Sequence, residues 1–132
     1  QEEVKAYYYE LDFPSSLILP NGYVIKSELV RNASIKRDRN ETFLLNMDSF
    51  DKPLIVRTRK PGDKIQLKGM IGRKKVKDIF IDEKIPIHNR SSWPIVLDGN
   101  GRILWIPGLK KSMYEAESTG NGVFVELQYK EL

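Results

Sequence analysis

The apolar residues of this chain come in short runs, and a turn-forming residue closes almost every one. VKAYYYELDF (4–13), dense in aromatic and β-branched residues, reads as a strand broken by Pro14-Ser15-Ser16. The turn Pro20-Asn21-Gly22 leads into YVIKSELV (23–30), and the two runs form a candidate meander. Arg31 to Thr42 is polar and aperiodic, so an exposed loop is expected there. FLLNM (43–47) reads as a short strand, with a turn of helix from Met47 to Phe50 as the alternative; LIVRT (54–58) reads as a buried strand. Residues 95–97 and 103–106 flank Asp98-Gly99-Asn100-Gly101, a strong hairpin signal, and VFVELQY (123–129) alternates as a closing strand.

One helix stands beside these strands. Lys74 to Ile85 carries Val76, Ile79 and Phe80 on one side, an apolar face suited to packing on a sheet, and Pro86 stops it. About six or seven short strands and one clear helix predict a β-rich α+β domain, and the missing strand–helix alternation argues against a Rossmann-type sheet. At 132 residues the chain is read as one domain, with lead-in strands and a loop over 1–50 and a core over 51–132. It starts at Gln1 rather than Met, which fits a fragment of something longer. No cysteine is present, which excludes disulfides and thiolate metal sites, and His88 is the single histidine. No apolar run approaches the ~20 residues of a membrane span, so no membrane partner and a cytoplasmic location are expected. Asn32-Ala33-Ser34 and Asn40-Glu41-Thr42 match the glycosylation pattern, which short triplets also do by chance.

Charge is where the chain is unusual. The net charge is only +4, yet residues 57–77 hold nine Lys or Arg against one acid, Asp63, and the remainder is net negative. Localised charge of one sign points to a polyanionic partner, and the glycines at 62, 69 and 72 would let backbone amides approach it. Arg73, Lys74, Lys75 and Lys77 lie at the expected helix start, where the peptide dipole disfavours cations. Asp78, Asp82 and Glu83 come later, where anions are misplaced. An anion from another molecule, such as a phosphate near Gly72, would complete the arrangement.

Enzymatic constellations are few. The P-loop, the dinucleotide fingerprint, G-x-S-x-G and H-E-x-x-H are all absent. His88 has no serine or acid placed by sequence to assist it, and Asp78, Asp82 and Glu83 read as solvated or lysine-paired helix acids rather than magnesium ligands. Trp93 and Trp105 border apolar strands and read as core, with base stacking as the alternative if a ring is exposed.

Five segments in order, R-x-R-x-x-G-D (57–63), K-K-V-K-D (74–78), I-D-E-K-I-P (81–86), R-S-S-W-P (90–94) and W-I-P-G-L (105–109), resemble the C-terminal region of bacterial tRNA(Ile)-lysidine synthases. P-x-x-x-x-L-P-x-G (14–22) resembles the segment leading into it. The resemblance implies a β-sandwich-like fold shared with a tRNA synthetase β-subunit module. It implies that this region holds isoleucine tRNA, chiefly by its acceptor stem. An N-terminal domain would use ATP and magnesium to adenylylate the wobble cytidine and join lysine to it, changing decoding from AUG to AUA. The S-G-G-x-D-S loop of that domain is absent here, so no cofactor and no synthase activity are expected of this chain alone. The expected tRNA backbone contacts are Arg57, Arg59, Lys60, Lys64, Arg73, Lys74, Lys75 and Lys77, with Lys110 and Lys111 in second rank. Expected partners are the tRNA and the N-terminal catalytic domain, with a homodimer left open. Three rivals remain: a general structured-RNA-binding domain, a protein-docking or dimerisation module using the basic face, and a hydrolase built on His88.

Overall fold

Strands without polar alternation need cover on both faces, and that requirement organises the molecule. The computed structural model describes residues 6–31, 39–117 and 121–132. Its elements are β1 (Tyr8–Leu11), β2 (Ser15–Ile18), β3 (Tyr23–Arg31), β4 (Thr42–Asn46), β5 (Leu54–Thr58), β6 (Lys64–Ile65), β7 (Lys74–Lys75), α1 (Val76–Asp82), α2 (Ile87–Arg90), β8 (Pro94–Leu97), β9 (Ile103–Ile106), β10 (Lys110–Lys111) and β11 (Val123–Glu131). A seven-stranded sheet runs β1-β5-β8-β9-β6-β7, with β10 also on β9. A four-stranded sheet runs β2-β3-β11-β4.

The large sheet is the middle of three layers. Leu54, Val56, Val96, Leu104 and Trp105 pack with Ile25, Phe43, Leu45, Val125 and Leu127 of the smaller sheet. On the other side, Ile55, Ile95, Leu97, Ile103 and Ile106 pack with Val76, Ile79 and Phe80 of α1. Every residue of β5, β8 and β9 is therefore buried, as a sheet covered twice requires. A register shift between Val96 and Leu97 makes room for an extra residue in β9, so Leu104 and Trp105 share the sandwich core. The β-rich, sandwich-like expectation with one principal helix is met.

Three local expectations are corrected. The first two strands do not form a meander: β1 pairs with β5, while β3 pairs with β2 and β11, in a different sheet. Serines 15 and 16, read as a break, begin β2, whose edge pairing with β3 carries the chain between sheets. Of the predicted polar loop, residues 32–38 lie outside the described residues, as do Val4 and Lys5 of the first strand and the triplet at 32–34. The helix is shorter than Lys74–Ile85 at both ends. Lys74 and Lys75 are claimed by strand pairing with β6, and Lys75 stays extended at φ −68°, ψ 135°. At the other end Lys84 takes φ +56°, while Lys84 N–H donates to the Ile81 carbonyl and Ile85 N–H to that of Phe80. That paired bonding around a left-handed residue ends the helix before Pro86 is reached.

Candidate nucleic-acid interface

The R-x-R-x-x-G-D segment folds back on itself. Gly62, at φ +87°, turns the chain after Arg59 and Lys60, so that Asp63 faces Arg57. Arg57 is buried and donates to Asp63 through both ends of its guanidinium, at 2.8 and 3.0 Å, and to the Thr58 carbonyl at 3.0 Å. Asp63 also accepts the Lys60 backbone N–H at 2.7 Å, and its carbonyl accepts the N–H of Val76, the first residue of α1. Burial would raise the Asp63 carboxyl, but the hydrogen bonds from Arg57 and Lys60, with their charges, outweigh it and hold the group below its ordinary value. Arg57 is thus a brace beneath the surface, and not an outward cation as the charge count implied.

The brace fixes a cationic sheet edge. β7 is the edge strand, paired antiparallel with β6 so that Lys64 stands opposite Lys75 and Ile65 opposite Lys74. Ile65 is buried, so alternation turns Lys64 and Lys75 to the solvent side. Arg73 precedes the strand and Lys77 follows it in the first turn of α1; both are exposed. Arg59 and Lys60 lie on the adjoining turn. None of Arg59, Lys60, Lys64, Arg73, Lys75 and Lys77 forms an ion pair with another described residue.

The other four predicted contacts are engaged internally. Arg57 is the brace just described. Lys74 pairs with Asp82, reaching across α1 rather than to Asp78 as helical spacing implied. Lys110 lies 3.8 Å from Glu83. Lys111 is buried and lies 2.9 Å from one Glu115 oxygen, while Lys68 takes the other at 3.1 Å. Only Lys77 of the predicted helix-start cations lies in α1, and Asp78 sits in its first turn, where an anion is favoured. The helix is not loaded backwards at its start, and the Val76 amide there already has a partner. Asp82 at the far end is still misplaced, and Lys74 compensates it.

The rival chemistry finds little support in the geometry. His88 is exposed on α2, and among the described residues no three of His, Cys, Asp and Glu converge to hold a metal. Trp105 is fully buried and donates to the Asn40 carbonyl; Trp93 donates to that of Pro107 and packs beside Phe80 and Tyr129. Trp105 is core, and Trp93 is partly buried against both apolar clusters. No helix among the described residues is long and apolar enough to cross a membrane.

Sequence reasoning passed over one feature. Gly69 and Gly72, at φ +77° and +79°, bracket Met70 and Ile71, and both side chains are exposed. The signal was an apolar pair, G-M-I-G, inside the most basic segment.

Fold and surface together define a class: a helix-covered β-sandwich with a cationic sheet edge. The family model described as the TilS substrate C-terminal domain matches residues 54–127, more than half of the chain, and the chain belongs to that family. It is 49% identical over 126 residues to the tRNA(Ile)-lysidine synthase of Geobacillus kaustophilus, covering 96% of this chain and 27% of that protein. The Bacillus subtilis tRNA(Ile)-lysidine synthase is 48% identical over 114 residues, covering 86% of this chain and 24% of that protein. The chain therefore spans about a quarter of the length of these relatives. A crystal structure of a TilS C-terminal domain superposes with a TM-score of 0.93 at 48% identity, covering 97% of this chain and 98% of that one. A fragment of the phenylalanyl-tRNA synthetase β-subunit from Pyrococcus horikoshii shares the fold, with a TM-score of 0.59 at 16% identity over 83% of this chain and 39% of that one.

Proposed function

We propose that this chain is the tRNA-holding unit of a tRNA(Ile)-lysidine synthase. It grips isoleucine tRNA by the acceptor stem while an N-terminal domain, supplied with ATP and magnesium, ligates lysine to the wobble cytidine in the cytoplasm. The names of its relatives support the enzyme, and the observation that carries the holding role is the unpaired cationic edge. Six cations along this edge and its adjoining turn, none of whose side chains forms an ion pair among the described residues, repel one another until a polyanion arrives. A duplex stem suits them because A-form RNA is gripped mostly through phosphates and 2′-hydroxyls. This chain supplies no catalytic group to the ligation; its part is to bind and orient.

The test is a salt series of binding to isoleucine tRNA beside a noncognate tRNA. Contact with about six phosphates gives a log–log slope of roughly −4 to −5. A steep slope with cognate preference is the expected result. A steep slope without preference makes the domain a general RNA handle, and no binding at low salt turns the basic face towards an acidic protein surface or a second copy.

A further inference from the structure

We propose that the Met70–Ile71 tip is an apolar wedge that packs against an unstacked nucleobase beside the gripped stem, an inference that rests on the RNA-holding reading above. Ile71 is fully exposed and Met70 half exposed, at a position where nothing in the fold needs apolar side chains. The tip is nevertheless built. Met70 N–H donates to the Leu67 carbonyl, and the Gln66 side-chain amide donates to the Met70 carbonyl at 2.8 Å. Lys68 N–H donates to the Lys111 carbonyl, Met113 N–H to that of Gln66, and the Lys68 ammonium is held by Glu115. The base of the loop is thus fastened to residues 111–115, and the two left-handed glycines turn the tip outward.

Its neighbours name the occupant. Arg73 follows Gly72 directly, and Lys75 and Lys64 stand on the paired strands behind it. An aliphatic tip that leads directly into a cationic strand pair fits a ligand with an apolar face next to phosphates. The flank of an A-form duplex offers hydroxyls, phosphates and base edges to such a tip but no base face, whereas an unpaired nucleotide offers the face of its base. Ile and Met are among the side chains that serve as wedges against base steps elsewhere.

The experiment compares two short RNA stems of identical sequence, one with an unpaired 3′ tail and one without, binding to the wild-type chain and to the double variant Met70→Ser, Ile71→Ser. The TilS C-terminal domain of the related crystal structure is a chain that this one covers to 98%, so a domain of about this length folds without the rest of its protein. Wild type is expected to favour the tailed stem by about tenfold, the worth of burying one aliphatic side chain. The double variant is expected to lose that preference while keeping the salt slope. A variant that keeps the preference overturns the wedge and leaves the holding role intact. Unchanged RNA binding with lost attachment to the N-terminal part of the longer protein also overturns it, assigning the tip to a protein contact. If wild type binds neither stem, the holding role itself fails.

Discussion

Lys64 and Lys75 are direct cross-strand partners, facing solvent from neighbouring strands of the sheet edge. Like charges so placed cost about 0.2–1 kcal/mol. Lys64→Glu converts the repulsion to attraction, so its melting temperature should rise by about 1–4 °C at low salt. The same variant should bind tRNA more weakly, with a salt slope shallower by at least about one. Thermal melts and binding on one preparation check both; stability and affinity falling together would contradict it.

The Arg57–Asp63 brace should reveal itself in acid. Asp63 titrates below its ordinary range when folded, so its contribution is complete above that range. It is lost as pH falls through the lowered native value. Asp63→Asn should therefore be less stable than wild type near neutrality, and the gap should close below about pH 4. Arg57→Ala, which leaves the part-buried Asp63 carboxylate with only the Lys60 backbone N–H, should cost about 1–3 kcal/mol. Denaturant titrations across pH measure these differences.

Lys111 and Lys75 should separate cleanly despite their equal charge. Lys111 is buried beside Glu115, so Lys111→Ala should lower stability by about 2–4 kcal/mol and leave the salt slope unchanged. Exposed Lys75→Ala should do the reverse, lowering the slope by about one with little change in stability. Urea melts paired with salt-dependent binding distinguish the two.

Lys84 occupies the left-handed position that closes α1. Glycine meets no steric penalty there, so Lys84→Gly should stabilise by about 0.5–1 kcal/mol. A drop in melting temperature would contradict this.

Gly99 presses its backbone against Asp51 and Lys52, and its N–H donates to the Asp51 carbonyl at 2.7 Å. An added Cβ would collide with the Lys52 carbonyl. Gly99→Ala should therefore cost at least about 2 kcal/mol, measurable by urea denaturation.

Much of this was legible because it rests on local pattern. The hairpin around Asp98–Gly101, the doubly buried β5 and the inward face of α1 each follow from spacing within a few residues. The R-x-R-x-x-G-D string was legible as a family mark, but not as a brace. Nothing in its spacing says which arginine turns inward, and only the Gly62 turn decides it for Arg57. Lys74 and Lys75 looked helical because propensity is local, whereas the strand that claims them begins ten residues earlier at Lys64. Lys111 looked like a surface base because its partner, Glu115, meets it through a turn rather than a helix.

The strand β11 lies between β3 and β4, joining residues 123–131 to residues 23–31 and 42–46. On the ribosome those two earlier strands emerge long before their common neighbour, and they share no pairing of their own. Until residues 123–131 are made, β3 and β4 lack the strand that joins them into one sheet. The nascent chain is then committed to waiting, and a nonsense codon just before Val123 should leave a polypeptide that chaperones and proteases treat as unfolded, however complete its cationic edge.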